Sequence, residues 1–269
     1  MGSKTLAFHL LTLGAVCACA QMQDNQERTL SCNDRQHWND RLVGHCEMRE
    51  QTMSASGGQI QIDPGGNGGV TVKGWSRPDI LMRARIETAA LSDVDARGMV
   101  GQIRVASGAA SMKAEGPAND HDHNWSVTYE IFVPHQTDID AKAHNGGVHI
   151  QDLKGNITFH TTNGGTHLAR LAGNVSGSTT NGGLTIELVG DHWDGKGMDV
   201  STTNGGVKLK VPENYSARVE TSTVNGGIKT EFPVTVQGKI GRDLAFTLGS
   251  GGATIRAVTT NGGVQINKS

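Results

Sequence analysis

The sequence predicts an all-β protein: a β-solenoid-like repeat with one short helix in its N-terminal half. Three observations predict it. Of 269 residues, 37 are Gly and only 6 are Pro, about twice and about half their ordinary shares. An Asn-Gly-Gly triplet recurs at Asn145, Asn163, Asn181, Asn204, Asn225 and Asn261, with an earlier copy at Asn67 and Ser-Gly-Gly variants at Ser56 and Ser250. After most triplets an apolar-x-apolar strand start follows, as in Val148 and Ile150, Leu184 and Ile186, Val207 and Leu209, and Val264 and Ile266. Glycine at every third position is absent, which excludes a collagen. So much glycine inside helices would cost on the order of 1 kcal/mol per residue, which argues against a bundle.

The N-terminus reads as a leader. Lys4 precedes an apolar run from Leu6 to Val16, and Ala18-Cys19-Ala20 precedes Gln21. Small residues at both ends of that triplet suit a signal peptidase, so residues 1–20 are expected to be removed. A rival reading takes Val16-Cys17-Ala18 as a lipoprotein box, with Cys19 as the lipid anchor. Without Lys4 the mature chain has 23 basic and 26 acidic residues, so its net charge is 23 − 26 = −3. Residues 21–52 form the next expected unit, a segment closed by a Cys32 to Cys46 disulfide, since an even pair of cysteines in an exported chain reads as a bridge. His37 and His45 share that loop and permit a Cys2His2 zinc reading, but the tight ligand pairs of zinc modules are missing.

Residues 53–269 are expected to form one strand-repeat domain with no linker. Its first half is loosely patterned: Ile60 and Ile62, Val70 and Val72, then Ile80 to Ile86. Ser92 with Asp95 makes a capping box that opens a short helix to about Gln102. Strands resume at Ile103 to Val105. Residues 117–124 form a polar loop, and Trp125 to Val133 is a strand with Trp125, Val127, Tyr129, Ile131 and Val133 on one face.

From Asn145, through Ser250, the triplets fall at intervals of 18, 18, 23, 21, 25 and 11 residues, a period that marks a repeat architecture. A threonine pair precedes the triplet at Thr161-Thr162, Thr179-Thr180, Thr202-Thr203 and Thr259-Thr260, and a second corner is expected at Gly155-Asn156 and Gly173-Asn174. Asn and Gly suit corners because both tolerate positive φ. An antiparallel meander of hairpins would use them too. Near-identical triplets favour a solenoid, where equivalent residues stack about 4.8 Å apart. If Ile157 and Phe159 face inward, alternation carries Thr161 and Asn163 inward as well. The asparagines would then form a buried or half-buried structural ladder of Asn145, Asn163, Asn181, Asn204, Asn225 and Asn261. The short intervals of 11 residues at Ser56 to Asn67 and Ser250 to Asn261 suggest edge or cap segments.

Few residues suggest chemistry. His121-Asp122-His123 has metal-ligand types on a polar loop. His149 and His167 occupy the same place after successive triplets, with His144 and His160 as nearby third ligands, and the bland reading is surface histidines. Asp152, Glu187, Asp199 and Glu220 fall at different repeat offsets, so no acid and base pair emerges. There is no Gly-x-Ser-x-Gly elbow or His-Glu-x-x-His motif. Neither catalytic residues, nor a cofactor, nor a metal is expected. Charge shows no concentrated positive face of the kind that nucleic acid demands, and no apolar stretch after the leader is long enough to span a membrane.

The Thr-Thr-Asn-Gly-Gly-Val units behind a leader and a Cys32 to Cys46 loop resemble the bacterial putative-adhesin family of exported β-strand-repeat proteins. Val72-Lys-Gly-Trp75, Pro212-Glu-Asn-Tyr215, Phe232-Pro-Val-Thr-Val236 and Leu248-Gly-Ser-Gly-Gly252 are similar to it as well, so the resemblance covers about residues 46–268. It implies a right-handed parallel β-solenoid-like fold at the cell envelope and supplies no catalytic residues. The expected function is a non-enzymatic exported envelope protein, periplasmic or secreted, that presents a repetitive β face to an unidentified surface protein or glycan. The alternatives are a β-helix polysaccharide-modifying enzyme, which lacks its carboxylate cluster, and a periplasmic sensor or scaffold of an envelope stress system.

Overall fold

A computed structural model describes residues 22–33, 38, 40–233 and 241–269. The expected leader over residues 1–20, the lipid-bearing alternative at Cys19, and His37 lie outside the described residues.

Alternating apolar and polar residues build strands throughout. The N-terminal half contains β1 (Val43–Ser54), β2 (Ile60–Asp63), β3 (Val70–Trp75) and β4 (Asp79–Ala90). Helix α1 (Asp93–Val100) follows, with Ser92 in an extended conformation as its cap and the Ser92 hydroxyl accepting the Asp95 N–H at 3.1 Å. Then come β5 (Arg104–Gly108), β6 (Ser111–Glu115) and β7 (Asn124–Pro134), whose Trp125, Val127, Tyr129, Ile131 and Val133 are all buried.

The repeats form strand pairs on either side of each triplet. They are β8 (Ile139–Asn145) with β9 (Val148–Gln151), β10 (Lys154–Asn163) with β11 (Thr166–Ala169), and β12 (Ala172–Asn181) with β13 (Leu184–Glu187). Next are β14 (Gly195–Asn204) with β15 (Val207–Val211), and β16 (Ala217–Asn225) with β17 (Ile228–Thr230). After β18 (Asp243–Leu248), the last coil is β19 (Thr254–Asn261) with β20 (Val264–Lys268).

Two ten-stranded sheets result. Sheet A has the order β1-β4-β7-β3-β9-β11-β13-β15-β20-β17, and sheet B the order β18-β16-β19-β14-β12-β10-β8-β2-β6-β5. In each coil the strand before the triplet lies in sheet B and the strand after it in sheet A. Repeat neighbours pair in parallel and in register, with Thr161 opposite Thr179, Asn163 opposite Asn181 and Thr166 opposite Leu184. This pairing is that of a solenoid and excludes the hairpin meander. Among the described residues antiparallel pairing is confined to β1-β4-β7, β5-β6 and β16-β18. One apolar cluster fills the space between the sheets, including Ile157, Phe159, Val175, Leu184, Val207, Ile255 and Val264. Each such side chain contributes roughly 1.5–3 kcal/mol by leaving water.

Four details of the sequence reading change. The coils do not stack in chain order: β19-β20 inserts between β14-β15 and β16-β17. The 11-residue interval before Asn261 therefore marks an interior coil, and the interval before Asn67 leads into β3, which is flanked on both sides by β7 and β9. Neither is an edge. Gly155-Asn156 and Gly173-Asn174 lie inside β10 and β12, and the second corner sits earlier, at Asp152 and Arg170, the only non-glycine residues at positive φ among those described (59° and 53°).

Positive φ explains the triplet only in part. None of its asparagines adopts it; the first glycines Gly57, Gly68, Gly164 and Gly251 do, whereas Gly146, Gly182, Gly205, Gly226 and Gly262 are required by close stacking. A Cβ on Gly182 would lie 2.1 Å from the Gly164 carbonyl oxygen of the neighbouring coil, a distance no side chain tolerates. Finally, alternation breaks at the corner: Thr161, Thr179, Thr202 and Thr259 are buried, but Asn163, Asn181, Asn204 and Asn261 two residues on are exposed. Turning into the triplet swings the asparagine outward.

Candidate functional site

The exposed asparagines bond to one another across the coils. Each Nδ2 donates to the Oδ1 of its neighbour: Asn145 to Asn67 at 2.9 Å, Asn163 to Asn145, Asn181 to Asn163 and Asn204 to Asn181 at 2.8 Å, then Asn261 to Asn204 and Asn225 to Asn261 at 2.7 Å. The order follows the stacking, so Asn225, not Asn261, ends the column. An amide carries both donor and acceptor, which lets one residue type serve every rung.

Sheet A carries a second register feature on its outer face. One row crosses all ten strands: Glu50, Arg83, Glu130, Thr71, His149, His167, Thr185, Lys208, Gln265 and Lys229. The row divides at β9. Its first half is covered by a strap of residues 22–31, which crosses from the Asp152 corner over β3 and β7 to β4. Beyond the strap, Cys32 joins Cys46 of β1 with an S–S distance of 2.01 Å and a Cα separation of 5.8 Å.

The strap is held by buried charges. Glu130, 1% exposed, accepts the backbone N–H groups of Thr29 at 2.9 Å and Leu30 at 3.2 Å, the Thr29 hydroxyl at 2.7 Å, the Lys73 ammonium at 2.8 Å, and an Arg83 guanidinium N–H. Burial alone would raise its pKa, but the hydrogen bonds from Lys73, Thr29 and Leu30 outweigh it and hold the carboxyl at about 2. Lys73 also donates to the Glu27 carbonyl at 3.0 Å and lies 5.3 Å from the Phe132 ring, part of a small outer apolar cluster with Trp75 and Leu81. At the other end Asp152 is buried and takes a bidentate pair from Arg170, both bonds 2.7 Å, with the Gln23 N–H at 2.9 Å and the Asn25 amide at 2.8 Å. These donors overcome its burial and lower its pKa. The guanidinium–carboxylate pair spans the two left-handed corners and fixes them.

The open half of the row starts at His149 and His167, whose ring centroids are 5.8 Å apart, edge to face. Burial lowers both pKa values; the His167 ring adds to this at His149, while at His167 the Glu187 carboxylate opposes burial and Lys210 and Arg170 act with it. His144 and His160 lie on sheet B, away from this pair, and His160 instead meets the Ser178 hydroxyl at 3.0 Å. Among the described residues no three His, Cys, Asp or Glu side chains group as metal ligands. On the polar loop, Asp122 pairs with Arg41 at 3.2 Å and His123 with Asp120 at 3.2 Å. On the outer face of sheet B, Asp199 pairs with Arg256 at 2.6 Å and Glu220 with Arg218 at 2.7 Å. Asp122, Asp199 and Glu220 are thus each paired with an arginine.

Sequence reasoning found His149 and His167 as one column but stopped there. The residue second after each Asn-Gly-Gly continues it as Thr185, Lys208, Lys229 and Gln265. That column was the available signal. The strap had none, because Glu130, Lys73 and Arg83 are far apart in sequence and scattered among ordinary strand residues.

Among solved structures, the fold is similar to a putative cell adhesion protein from Clostridium sporogenes, at TM-score 0.44 and 9% identity, over 84% of this chain and 100% of that one. It is also similar to a putative adhesin from Bacteroides fragilis (TM-score 0.28, 12% identity, 83% and 97% coverage) and to a putative lipid binding protein from Parabacteroides distasonis (TM-score 0.35, 10% identity, 83% and 96% coverage). No curated protein matches the sequence. The family described as Toastrack DUF4097 matches residues 52–267, which is 267 − 52 + 1 = 216 of the 269 residues. The chain belongs to the Toastrack DUF4097 family.

Proposed function

We propose that this protein is a non-enzymatic binding scaffold of the cell envelope, which presents a flat repetitive β face to a surface protein or glycan. The observation that carries the reading is the outer face of sheet A: half of it is sealed by the protein's own strap, and the other half is an open row of polar and cationic side chains in strict register. In-register strands place side chains at a fixed pitch, which suits a repetitive partner. Export is supported by the leader-like residues 1–20 and by the Cys32–Cys46 bridge. The working division is a leader over 1–20, the bridge-closed segment over 21–52, and the repeat domain over 53–269. The similarity to structures named as adhesins agrees with this reading without adding to its weight.

The test is retention of envelope components on the immobilised protein, read beside a glycan array and a reducing-sugar assay. Retention or array binding without sugar release is expected. Release of reducing ends would favour the polysaccharide-modifying alternative, and no retention together with a silent array would remove the scaffold reading.

A further inference from the structure

The two outer faces treat charge differently. On sheet B most of the charged side chains pair with one another, Lys142 with Asp140 at 3.9 Å, Lys113 with Glu115 at 2.7 Å, Arg218 with Glu220 at 2.7 Å and Arg256 with Asp199 at 2.6 Å, while Arg104 of β5 and Lys196 of β14 stand singly and apart. On the open half of sheet A, Lys208, Lys210 and Lys229 are exposed, and no carboxylate of the described residues lies within ion-pair distance of them. The nearby acids are engaged elsewhere or stand to one side. Glu213 pairs with Lys268 at 2.6 Å, Glu231 accepts the Lys268 N–H at 2.8 Å, and Glu187 stands in the neighbouring row opposite Lys210. A chain of net charge −2 thus gathers three unpaired ammonium groups on one half of one face.

Their spacing is regular. Lys208, Gln265 and Lys229 sit on three adjacent strands, which puts the two lysines about 10 Å apart with an amide between them. From His149 to Lys229 the row spans five strand steps, about 24 Å. A linear polymer lying across the strands would meet a cation, an amide and a cation in turn, with Thr185, His167 and His149 beyond. Alternate sugars of a linear chain recur at a comparable distance and turn the same edge toward a flat surface.

We propose that the open half of the outer face of sheet A binds an acidic linear polysaccharide, with sugar carboxylates at Lys208 and Lys229 and sugar hydroxyls at Gln265, Thr185 and the two imidazoles. The proposal rests on the reading of the protein as a binding scaffold and names its partner. Other polyanions fit less well. A membrane surface calls for apolar side chains to enter it, and among the described residues the exposed large apolar ones, Val43, Leu91, Val94 and Val224, all lie elsewhere. Nucleic acid calls for a dense basic stripe with many phosphate contacts, and three lysines do not make one. A protein partner would be anchored by buried aromatic or apolar groups, which this row lacks.

The experiment titrates the purified protein with polygalacturonate at low salt, with neutral dextran, phosphatidylglycerol vesicles and duplex DNA as comparison probes. Lys208→Gln/Lys229→Gln is measured beside Lys113→Gln/Lys142→Gln on sheet B, and thermal melts establish that both variants stay folded. Expected are binding of polygalacturonate but not dextran, weakening as salt rises, and a loss of about tenfold for the sheet A variant only, the size of two screened ion contacts. Equal loss in both variants, no binding of polygalacturonate, or preference for vesicles or DNA would overturn the proposal. If the wild type retains an envelope component and the sheet A variant retains it equally, the proposal fails while the scaffold reading stands. If nothing is retained, the array is silent and polygalacturonate does not bind, both fail.

Discussion

Replacing Glu130 by Gln tests how the strap is held. The carboxylate is 1% exposed and receives donors from Thr29, Leu30, Lys73 and Arg83. A neutral amide keeps the volume but turns one acceptor into a donor and leaves two cations without their partner. The shift of the carboxyl from 4.5 to about 2 gives the size: 2.5 pKa steps of 1.36 kcal/mol each amount to about 3 kcal/mol, in the range for breaking a buried ion pair. The sign follows from protonation. The folded pKa lies below the unfolded one, so this stability is fully present above about pH 4.5 and is lost as pH falls through about 2. At pH 7, Glu130→Gln should therefore melt about 6–12 °C below the wild type, and the gap should close on acidification. Trypsin should cut more readily after Arg28, an exposed residue of the strap. Circular dichroism melts at a series of pH values, with timed digestion, measure both. Equal melts at pH 7 and unchanged cleavage after Arg28 would refute the claim that Glu130 clamps the strap.

Three further outcomes are expected. Asn181→Ala removes two ladder bonds of 2.8 Å, and because the rungs are exposed the loss should be only about 1–2 kcal/mol, read as a melt lower by a few degrees; an unchanged melt would reduce the ladder to decoration. Gly182→Ala forces a methyl to 2.1 Å from the Gly164 carbonyl, so this variant should be largely insoluble or melt far lower, whereas Gly57→Ala, which meets nothing within 4 Å but sits at φ +73°, should lose only about 1 kcal/mol. Burial lowers the pKa values of His149 and His167 below 6.5. The unfolded chain therefore binds more protons just below that value, and stability falls as pH drops through it. His149→Asn/His167→Asn should flatten the melting profile between about pH 7.5 and 5.5, despite the Arg170, Glu187 and Lys210 charges nearby; a profile as steep as that of the wild type would place the titration elsewhere.

Much of the fold was legible because its signals are local. Ser92 and Asp95 mark a helix start within four residues, and Trp125 to Val133 declares its buried face by alternation. The solenoid followed from the triplets, because stacking demands the same small residue at each corner, as the 2.1 Å approach at Gly182 shows. What was not legible depends on which distant coils become neighbours. Nothing in the local pattern tells Asn261 that it stacks on Asn204 before Asn225, since every coil presents the same rung. The strap escaped for the same reason: Glu130 looks like an ordinary strand residue until Thr29, Lys73 and Arg83 arrive from elsewhere. The outward turn of the asparagines was hidden because alternation holds along a strand and ends where the chain bends. The cationic row was half visible, at His149 and His167, and its continuation to Lys208 and Lys229 needed only the same offset followed through the remaining repeats.

The most direct test of a binding scaffold that works through sheet A is lysine footprinting. The purified protein is acetylated with and without envelope polysaccharide, and modification at each lysine is read by mass spectrometry. Protection of Lys208, Lys210 and Lys229, with Lys113 and Lys142 on sheet B modified as before, is the predicted result. Equal modification of all five in both conditions, or protection of the sheet B lysines alone, would contradict it.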